Sequence, residues 1–452
     1  MTRGERGFSR RIAVIGTGIS GLAAAWLLGR SHDVTVYEKA KRIGGHSNTV
    51  LAPTPRGDVP IDMGFIVYNE ATYPNLVALF DHFKVRTQLS CMSLSVSLDD
   101  GDFEYSGGDI SGLVAQRRNL VRPRFWSMLK DLHRFYRRAP SDLRELDRNG
   151  ATLGEYLAAA GYGAAFQNDH LLPMAAAIWS ASTRAILDFP AAAFVRFYVN
   201  HGLLRLRDRP PWRTVSGGSR VYLRALTRAF AHRIRTGVGV CAVRRSEDEV
   251  SVIDRFGASQ SFDEVIIATH SDQALALLDR PTSKERRILG GLRYRSNTAT
   301  LHSDPALMPK RRRAWSSWNI LGRTGLATDE NPTVTYWMNS LHDIPSEAPL
   351  FVTLNATREP RQAWAHETYA HPQFDSAAIA AQRELWSLQG EGGVWFCGAY
   401  FGAGFHEDGL QAGLAVAEAL GGVHRPWRVP NESSRIVIGQ KRKRAAALES
   451  TT

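Results

Sequence analysis

The sequence predicts an α/β protein that combines a Rossmann-like, discontinuous dinucleotide-binding domain with a second, mixed α+β domain. Three observations predict this fold. A glycine motif follows a buried strand near residue 16, further buried strands recur near residues 264 and 394, and long insertions separate these strands. With 452 residues, of which 44% are hydrophobic and 22% charged, the chain is long and apolar enough to bury a large core.

The glycine motif stands between Arg11–Ile15, which reads as a buried strand, and an apolar helix. Gly16 permits a tight turn, Gly18 lets the backbone approach a pyrophosphate, and Gly21 brings the helix close to the strand. The helix N-terminus at Ser20 offers N–H groups to the phosphates. A second strand ends 17 residues past Gly21 at Glu38, whose carboxylate can bind a ribose.

The residues after Glu38 indicate which dinucleotide is bound. Lys39 and Arg42 precede the pair Gly44-Gly45, His46 follows it, and Gly64 comes later. This order resembles the FAD-dependent amine oxidase superfamily, which includes monoamine oxidases, protoporphyrinogen oxidase and phytoene desaturases. The resemblance implies FAD as the cofactor, a glutathione-reductase-type FAD-binding domain, and a second glycine pair on the flavin side of the pyrophosphate.

Later segments extend the resemblance over about residues 10–422. Val240 lies in a segment that resembles the strand contacting adenine, and Gly398 follows the last buried strand. The turn Gly404–Gly409 resembles the segment that brings N–H groups to the ribityl chain and the flavin carbonyls. The expected FAD-binding residues are therefore Gly16, Gly18, Ser20, Gly21, Glu38, Lys39, Arg42, Gly44, Gly45, His46, Gly64, Val240, Gly398, Asp408, Gly409 and Leu410.

The order of these segments predicts the domain organisation. The FAD-binding domain takes residues 10–75, 214–285 and 385–425. The substrate domain takes the insertions 76–213, which reads as mostly helical, and 286–384, which reads as antiparallel strands. Residues 426–452, with the basic run Lys441–Arg444, are expected to be a C-terminal tail that is ordered at first and then frays.

Two family features of amine chemistry are missing from the sequence. Amine oxidases carry a lysine that holds a water beside flavin N5, and alignment of its strand puts Asn297 at that place. They also flank the flavin with two tyrosines, and Phe405 stands at the C-terminal tyrosine position. The resemblance therefore disfavours oxidation of an amine.

His406 and Glu407 are the predicted catalytic residues. The turn that holds them is expected to face the flavin, and dehydrogenation needs a base for the proton that leaves as hydride goes to N5. An imidazole of ordinary pKa is a suitable acceptor. Helix capping is an alternative role for Glu407 and for Asp408. His46 is a second candidate base, although a phosphate or ribityl contact is its expected role.

The predicted substrate is large and apolar, because aromatic residues are frequent in both insertions. The sequence also resembles a bacterial branch of the superfamily that has the Gly-Phe-His-Glu-Asp-Gly turn. Some members of that branch act on acyl chains of membrane lipids, including methylated fatty acids on the way to furan fatty acids. The leading hypothesis is an FAD-dependent acyl-chain desaturase. A flavin oxidase of a soluble amine and a non-catalytic FAD-binding partner of a lipid-modifying enzyme are the alternatives.

The net charge of +12 is concentrated in Arg117–Arg138, Lys310–Arg313 and Lys441–Arg444. The first run interleaves eight basic residues with aromatic ones, which is typical of a protein face that binds a membrane surface. We expect peripheral binding to the inner membrane from the cytoplasm, where three scattered cysteines stay reduced. No nucleic-acid partner and no metal are expected, and the oligomeric state stays open between monomer and homodimer.

Overall fold

A computed structural model describes residues 9–205, 208–325, 329–330, 332–344 and 347–439. Its strands, in chain order, are β1 (Arg11–Ile15), β2 (Asp33–Glu38), β3 (Thr49–Ala52), β4 (Val59–Asp62), β5 (Tyr68–Asn69), β6 (Thr87–Ser90), β7 (Leu94–Leu98), β8 (Phe103–Ser106), β9 (Trp212–Val215), β10 (Ile234–Thr236), β11 (Val240–Arg245), β12 (Val250–Asp254), β13 (Ser259–Phe262), β14 (Glu264–Ile267), β15 (Arg293–His302), β16 (Trp318–Gly322), β17 (Thr333–Trp337), β18 (Phe351–Leu354), β19 (Ala363–Gln373) and β20 (Val394–Phe396).

The helices are α1 (Ile19–Leu28), α2 (Pro74–His82), α3 (Ile110–Leu113), α4 (Pro123–Asn149), α5 (Leu153–Ala159), α6 (Ala164–Phe166), α7 (Leu172–Trp179), α8 (Thr183–Leu187), α9 (Ala191–Asn200), α10 (Arg220–Thr227), α11 (Ser271–Leu277), α12 (Ser283–Leu289), α13 (Met338–His342), α14 (Ser376–Glu384) and α15 (His406–Gly421). A π turn, Gln167–Leu171, joins α6 to α7. None of the helices among the described residues is both long enough and apolar enough to span a membrane.

A parallel five-stranded sheet has the strand order β10-β2-β1-β14-β20. Its strands come from three separate stretches of the chain, as the sequence predicts. Residues 12–14 of β1 and 265–267 of β14 are fully buried because strands of a parallel sheet have packed layers on both faces. The glycine loop after β1 leaves at the carboxyl edge of this sheet, where ligands bind in open α/β folds.

A seven-stranded mixed sheet has the order β19-β15-β18-β17-β16-β7-β8. The strands predicted in the second insertion are confirmed as β15, β17 and β18. The prediction that residues 76–213 are mostly helical is incomplete, because β6, β7 and β8 lie between α2 and the later helices. Strand β7 pairs in parallel with β16, more than 200 residues later in the chain, so its partner is not visible in the local sequence.

The helices of residues 123–200 pack around one aromatic and aliphatic cluster. Helix α4 is longer than the predicted 125–138. Pro140 removes one backbone hydrogen bond without ending the helix, since the packing of Leu146 into the cluster extends it. Gly150 ends it in the left-handed conformation at φ +67°.

The described part of the C-terminal tail packs on the sheet domain. Trp427 stacks on Trp26 of α1 at 5.7 Å, and Ile436 is buried. Arg435 pairs with Asp408 near the start of α15, at 2.6 Å from Nε to the carboxylate. The predicted basic run 441–444 lies outside the described residues. The domain limits and the glutathione-reductase subtype stay predictions.

Candidate active site

The glycine loop between β1 and α1 is tightly packed except at one position. A Cβ on Gly21 would stand 2.1 Å from the carbonyl oxygen of Gly16, and one on Gly16, at φ +105°, would stand 2.8 Å from that of Ala268. A Cβ on Gly18 would meet no atom within 4 Å. Gly16 and Gly21 are therefore needed for the packing of the loop itself, whereas the absence of a side chain at Gly18 keeps the space beside the loop open.

The start of α15 lies directly against the start of α1. A Cβ on Gly413 would stand 2.1 Å from the carbonyl oxygen of Ser20, and one on Gly409 would stand 3.0 Å from the side chain of Ile19. Only glycine permits this approach. Two helix N-termini, each carrying partial positive charge and free N–H groups, are thereby brought to one place.

The turn at residues 44–46 lies over the same loop. Gly44 and Gly45 have φ of +110° and +57°, and the Gly44 N–H donates to the carbonyl oxygen of Thr17 at 3.1 Å. A Cβ on Gly45 would stand 3.3 Å from the Cα of Gly18. The open space at Gly18, the second glycine turn and the two helix N-termini fit a diphosphate.

Other predicted FAD-binding residues shape this space. The Glu38 carboxylate accepts from Thr17 N–H at 3.1 Å and from Ala40 N–H at 2.8 Å, which fixes it beside the loop. Arg42 donates to the Gly45 carbonyl at 2.7 Å and pairs with Glu367 at 3.0 Å, so it holds the glycine turn.

Some of the remaining predicted FAD-binding residues pack around the glycine loop, and the others lie at the ends of strands. Gly64 packs on the carbonyl oxygen of His46, and Ser20 and Leu410 are buried where α1 meets α15. Lys39 lies against Gly239, next to Val240 at the start of β11, and Gly398 follows β20. No measurement assigns a ligand contact to these residues, so their FAD-binding roles stay predictions.

His406, the first predicted base, begins α15 and is half-buried. Its ring stacks on Phe65 at 3.8 Å, and its Nε2 lies 2.8 Å from the Tyr222 hydroxyl, which in turn lies 2.5 Å from Ser47 Oγ. Desolvation lowers the pKa of His406 to about 3. The premise of an ordinary imidazole pKa at this position is therefore wrong.

Glu407, the second predicted base, is a structural residue. Its carboxylate is fully buried and accepts hydrogen bonds from Asn75 N–H, Asn75 Nδ2, Leu76 N–H and Gln411 Nε2. Glu407 thus binds the N–H groups at the start of α2, although Asn75 and Glu407 are 332 positions apart in the sequence. We correct its assignment from catalysis to helix capping. Asp408 caps its own helix by accepting from the Phe405 N–H at 2.7 Å.

Strand β19 contributes residues that the sequence interpretation missed. Glu367, Tyr369 and His371 alternate onto one face, which lies over the 42–48 turn. Tyr369 stacks on His46 at 4.8 Å, and the ring of His371 lies 5.4 Å from that of His46. The signal in the sequence was only the spacing of Glu367, Tyr369 and His371 at every second position, which puts them on one face of a strand.

A chain of amides fixes the tautomer of His371. The Asn355 carbonyl oxygen Oδ1 accepts from Thr298 N–H at 3.1 Å, so its Nδ2 donates to Asn297 Oδ1 at 2.7 Å. Asn297 Nδ2 then donates to His371 Nδ1 at 3.1 Å. His371 therefore carries its proton on Nε2. Desolvation lowers its pKa to about 4, so the ring is a neutral hydrogen-bond donor at neutral pH.

Comparison with known proteins agrees with this geometry. The family model for flavin-containing amine oxidoreductases matches residues 19–305. No curated protein sequence matches the chain.

Solved structures are similar in fold over nearly the whole chain. A redesigned putrescine oxidase is 14% identical, with 91% of this chain and 98% of that one covered at a TM-score of 0.65. A fatty acid isomerase from P. acnes is 15% identical (92% and 99% covered, TM-score 0.63), and a cyclohexylamine oxidase from Brevibacterium oxydans is 17% identical (91% and 100%, TM-score 0.62). The cofactor implied by the family and by the loop geometry is FAD.

Two glycine substitutions separate FAD binding from folding. Gly18→Ala places a methyl group in open space, so the free energy of unfolding of the apoprotein changes by about 1 kcal/mol or less, while FAD binding weakens about tenfold or more. Gly21→Ala forces the loop backbone apart and costs about 1–3 kcal/mol of stability. Thermal unfolding of the apoproteins and the ratio of FAD to protein measure both. A Gly18→Ala protein with normal FAD affinity contradicts the assignment.

Substitution of Glu407 tests its structural role. Glu407→Ala leaves the buried N–H groups of Asn75 and Leu76 without an acceptor, at a cost of about 3 kcal/mol. Glu407→Gln keeps an acceptor oxygen and costs about 1 kcal/mol. Urea unfolding measures these losses. A Gln variant with normal stability that cannot reduce its flavin would return Glu407 to catalysis.

Proposed function

Because the chain belongs to the family of flavin-containing amine oxidoreductases, we propose that it uses FAD to dehydrogenate an apolar substrate, an acyl chain of a membrane phospholipid such as a methylated fatty acid. The proposal rests on the aromatic surroundings of the turn that begins α15. The turn that begins α15 lies against aromatic side chains: Phe405 stacks on Phe197 at 5.0 Å, and Gly404 lies against Phe374. Trp179, at 4.6 Å from Phe197, extends this apolar wall, whose members Phe197, Phe374 and Trp179 are buried in the aromatic cluster of the helical region, so the turn stands at the edge of an apolar core.

The environment of Asn297 supports the same substrate class. Both ends of its amide are hydrogen-bonded, to Asn355 and to His371, and the residue is buried. Where the resemblance expects a lysine that holds a water, this chain has a closed amide network. Oxidation of a carbon–carbon bond, which needs no such lysine, suits this arrangement better than oxidation of an amine.

One of the structural neighbours supports acyl-chain chemistry on this fold. The P. acnes protein is a fatty acid isomerase, whereas the putrescine and cyclohexylamine oxidases act on amines. Among these neighbours, the apolar wall beside Phe405 favours the first kind of substrate, because an acyl chain buries apolar surface worth about 25 cal/mol per Å².

The bound flavin would supply the acceptor for a hydride from one carbon of the acyl chain. The proton leaves the neighbouring carbon, and we propose that His406 accepts it. Burial lowers the pKa of His406 to about 3, which keeps the imidazole unprotonated at rest but makes it a weaker base than an ordinary histidine, so the protonated ring needs a stabilising partner. The Tyr222 hydroxyl, 2.8 Å from Nε2 and 2.5 Å from Ser47 Oγ, would accept from the Nε2–H of the protonated ring and so hold the proton on His406. His371, with its proton on Nε2, acts as a neutral donor that orients groups beside it.

Anaerobic reduction of the bound flavin tests the substrate class. We expect bleaching of the oxidised flavin band when the holoprotein is mixed with detergent-solubilised phospholipid carrying methylated acyl chains. Putrescine and cyclohexylamine, at matched concentrations, should leave the band unchanged. Reduction by the amines alone contradicts the proposal, and reduction by neither class of compound indicates a non-catalytic FAD-binding partner.

The pH dependence of flavin reduction tests the state of His406. A base must be deprotonated, and because burial lowers the pKa of His406 to about 3, its neutral form persists from pH 8 down to well below pH 5. The reduction rate should therefore stay flat between about pH 5 and 8, and His406→Ala should slow it about 10²–10⁴-fold without loss of FAD. A rate that falls tenfold per pH unit below 6.5 indicates an exposed imidazole instead.

A further inference from the structure

Strand β8 is the edge of the seven-stranded sheet, and residues 107–126 cover it. The buried side chain of Gln116 accepts from Glu104 N–H at 2.8 Å and donates to the Asp102 carbonyl at 2.7 Å. Asn119, also buried, donates to the Glu104 carbonyl at 2.9 Å. These side chains satisfy the free backbone groups that an edge strand leaves. The inner side of the segment is thus explained by the fold.

The outer side of the segment exposes large apolar side chains that the edge strand does not require. Ile110 is 81% exposed, Val121 79%, Trp126 53% and Leu120 42%. Trp126 donates its indole N–H to the Leu120 carbonyl at 2.8 Å, so the ring is held in place while its face stays accessible. Four large apolar residues are thus exposed within 17 positions of one surface segment, and we call them the apolar patch; exposed apolar surface of this kind is typical of a face that a partner covers.

Basic residues from two distant parts of the sequence meet around this patch. Helix α3 packs against the turn at residues 312–314, and Arg311 donates to the Gly101 carbonyl at 2.9 Å. The run 310–313 therefore lies beside residues 107–126, about 190 positions earlier in the chain. The sequence showed the two basic runs but not that they share one face.

Ion pairs decide which of these charges are free. Five of the eight basic residues in 117–138 pair with acids, namely Arg118, Arg122, Arg124, Arg134 and Arg138. The other three, Arg117, Lys130 and Arg137, are exposed and make no ion pair with another described residue, and the same holds for Arg312 and Arg313 in the second run. Arg312 lies over the Trp315 ring at 3.7 Å. The unpaired positive charge is smaller than the sequence suggested, and Arg117, Arg312 and Arg313 place part of it in or beside residues 107–126.

We propose that residues 107–126, together with Arg312 and Arg313, form a docking face for an anionic lipid bilayer. The choice of a bilayer rests on the proposed function. Exposed Ile, Val and Trp side chains enter the boundary between headgroups and acyl chains, while arginines bind the lipid phosphates. A second copy of the chain would bring the same positive charge, and a nucleic acid would leave Ile110 and Val121 uncovered.

Vesicle binding by the holoprotein tests the docking face. We expect co-sedimentation with vesicles of phosphatidylglycerol and phosphatidylcholine that weakens as salt rises, because the arginine contacts are screened. The double variant Ile110→Asn/Val121→Asn should bind about tenfold or more weakly. The double variant Arg312→Ala/Arg313→Ala should lose about fivefold per arginine with these vesicles and little with pure phosphatidylcholine.

Leu89→Asn/Phe256→Asn is the matched control, since these side chains are 66% and 67% exposed elsewhere on the surface. It should bind as the wild type does, and thermal unfolding should be unchanged in all variants. Absent wild-type binding at low salt, or an equal loss in the control, overturns the proposal. So does a change in oligomeric state of the Ile110/Val121 variant by light scattering without loss of vesicle binding.

Flavin reduction separates this proposal from the proposed function. Vesicle binding without reduction by any acyl lipid retains the docking face and rejects the acyl substrate. Reduction of the flavin by detergent-solubilised lipid without vesicle binding retains the acyl substrate and rejects the docking face. If both hold, the Ile110/Val121 variant should lose reduction by vesicle lipid and keep reduction by solubilised lipid.

Discussion

The close contact between the starts of α1 and α15 is the constraint on which the rest of the site depends. A Cβ on Gly413 would clash with the carbonyl oxygen of Ser20. A Cβ on Gly21, in α1, would clash with the carbonyl oxygen of Gly16 in the preceding loop, so neither position admits a side chain. The contact joins a helix from the first thirty residues to one from the last fifty. It aims two N-termini at one diphosphate position and sets the turn of His406 beside the aromatic wall.

The same contact explains why acidic residues near the turn serve the fold. Glu407 points away from the site to cap α2, and Asp408 holds the Phe405 N–H and Arg435 of the tail. Desolvation raises the pKa of both carboxyls, and their hydrogen-bonding partners keep them in place. The side chains left for chemistry are neutral imidazoles in aromatic surroundings, which suits an uncharged, apolar substrate.

Local patterns predicted the parts of the molecule that local chemistry determines. The glycine motif, its flanking strands and the pair Gly44-Gly45 were readable because each glycine has a backbone reason to be there. The role of His371 was not readable, since it depends on the pairing of β19 with β15 and on an amide chain that includes Asn355. Capping is an expected alternative for Glu407 because it stands at a helix start, but the helix that it caps, α2, holds Asn75, 332 positions away.

The central claim is that this flavin site removes two hydrogens from an acyl chain. Lipid extracts from cells that express the wild type or the Gly18→Ala variant test it most directly by mass spectrometry of phospholipid acyl chains. We expect species lighter by two hydrogens in wild-type cells, with their saturated precursors accumulating in the variant. Identical acyl profiles in the two strains, with FAD bound to the wild-type protein and absent from the variant, would contradict this reaction.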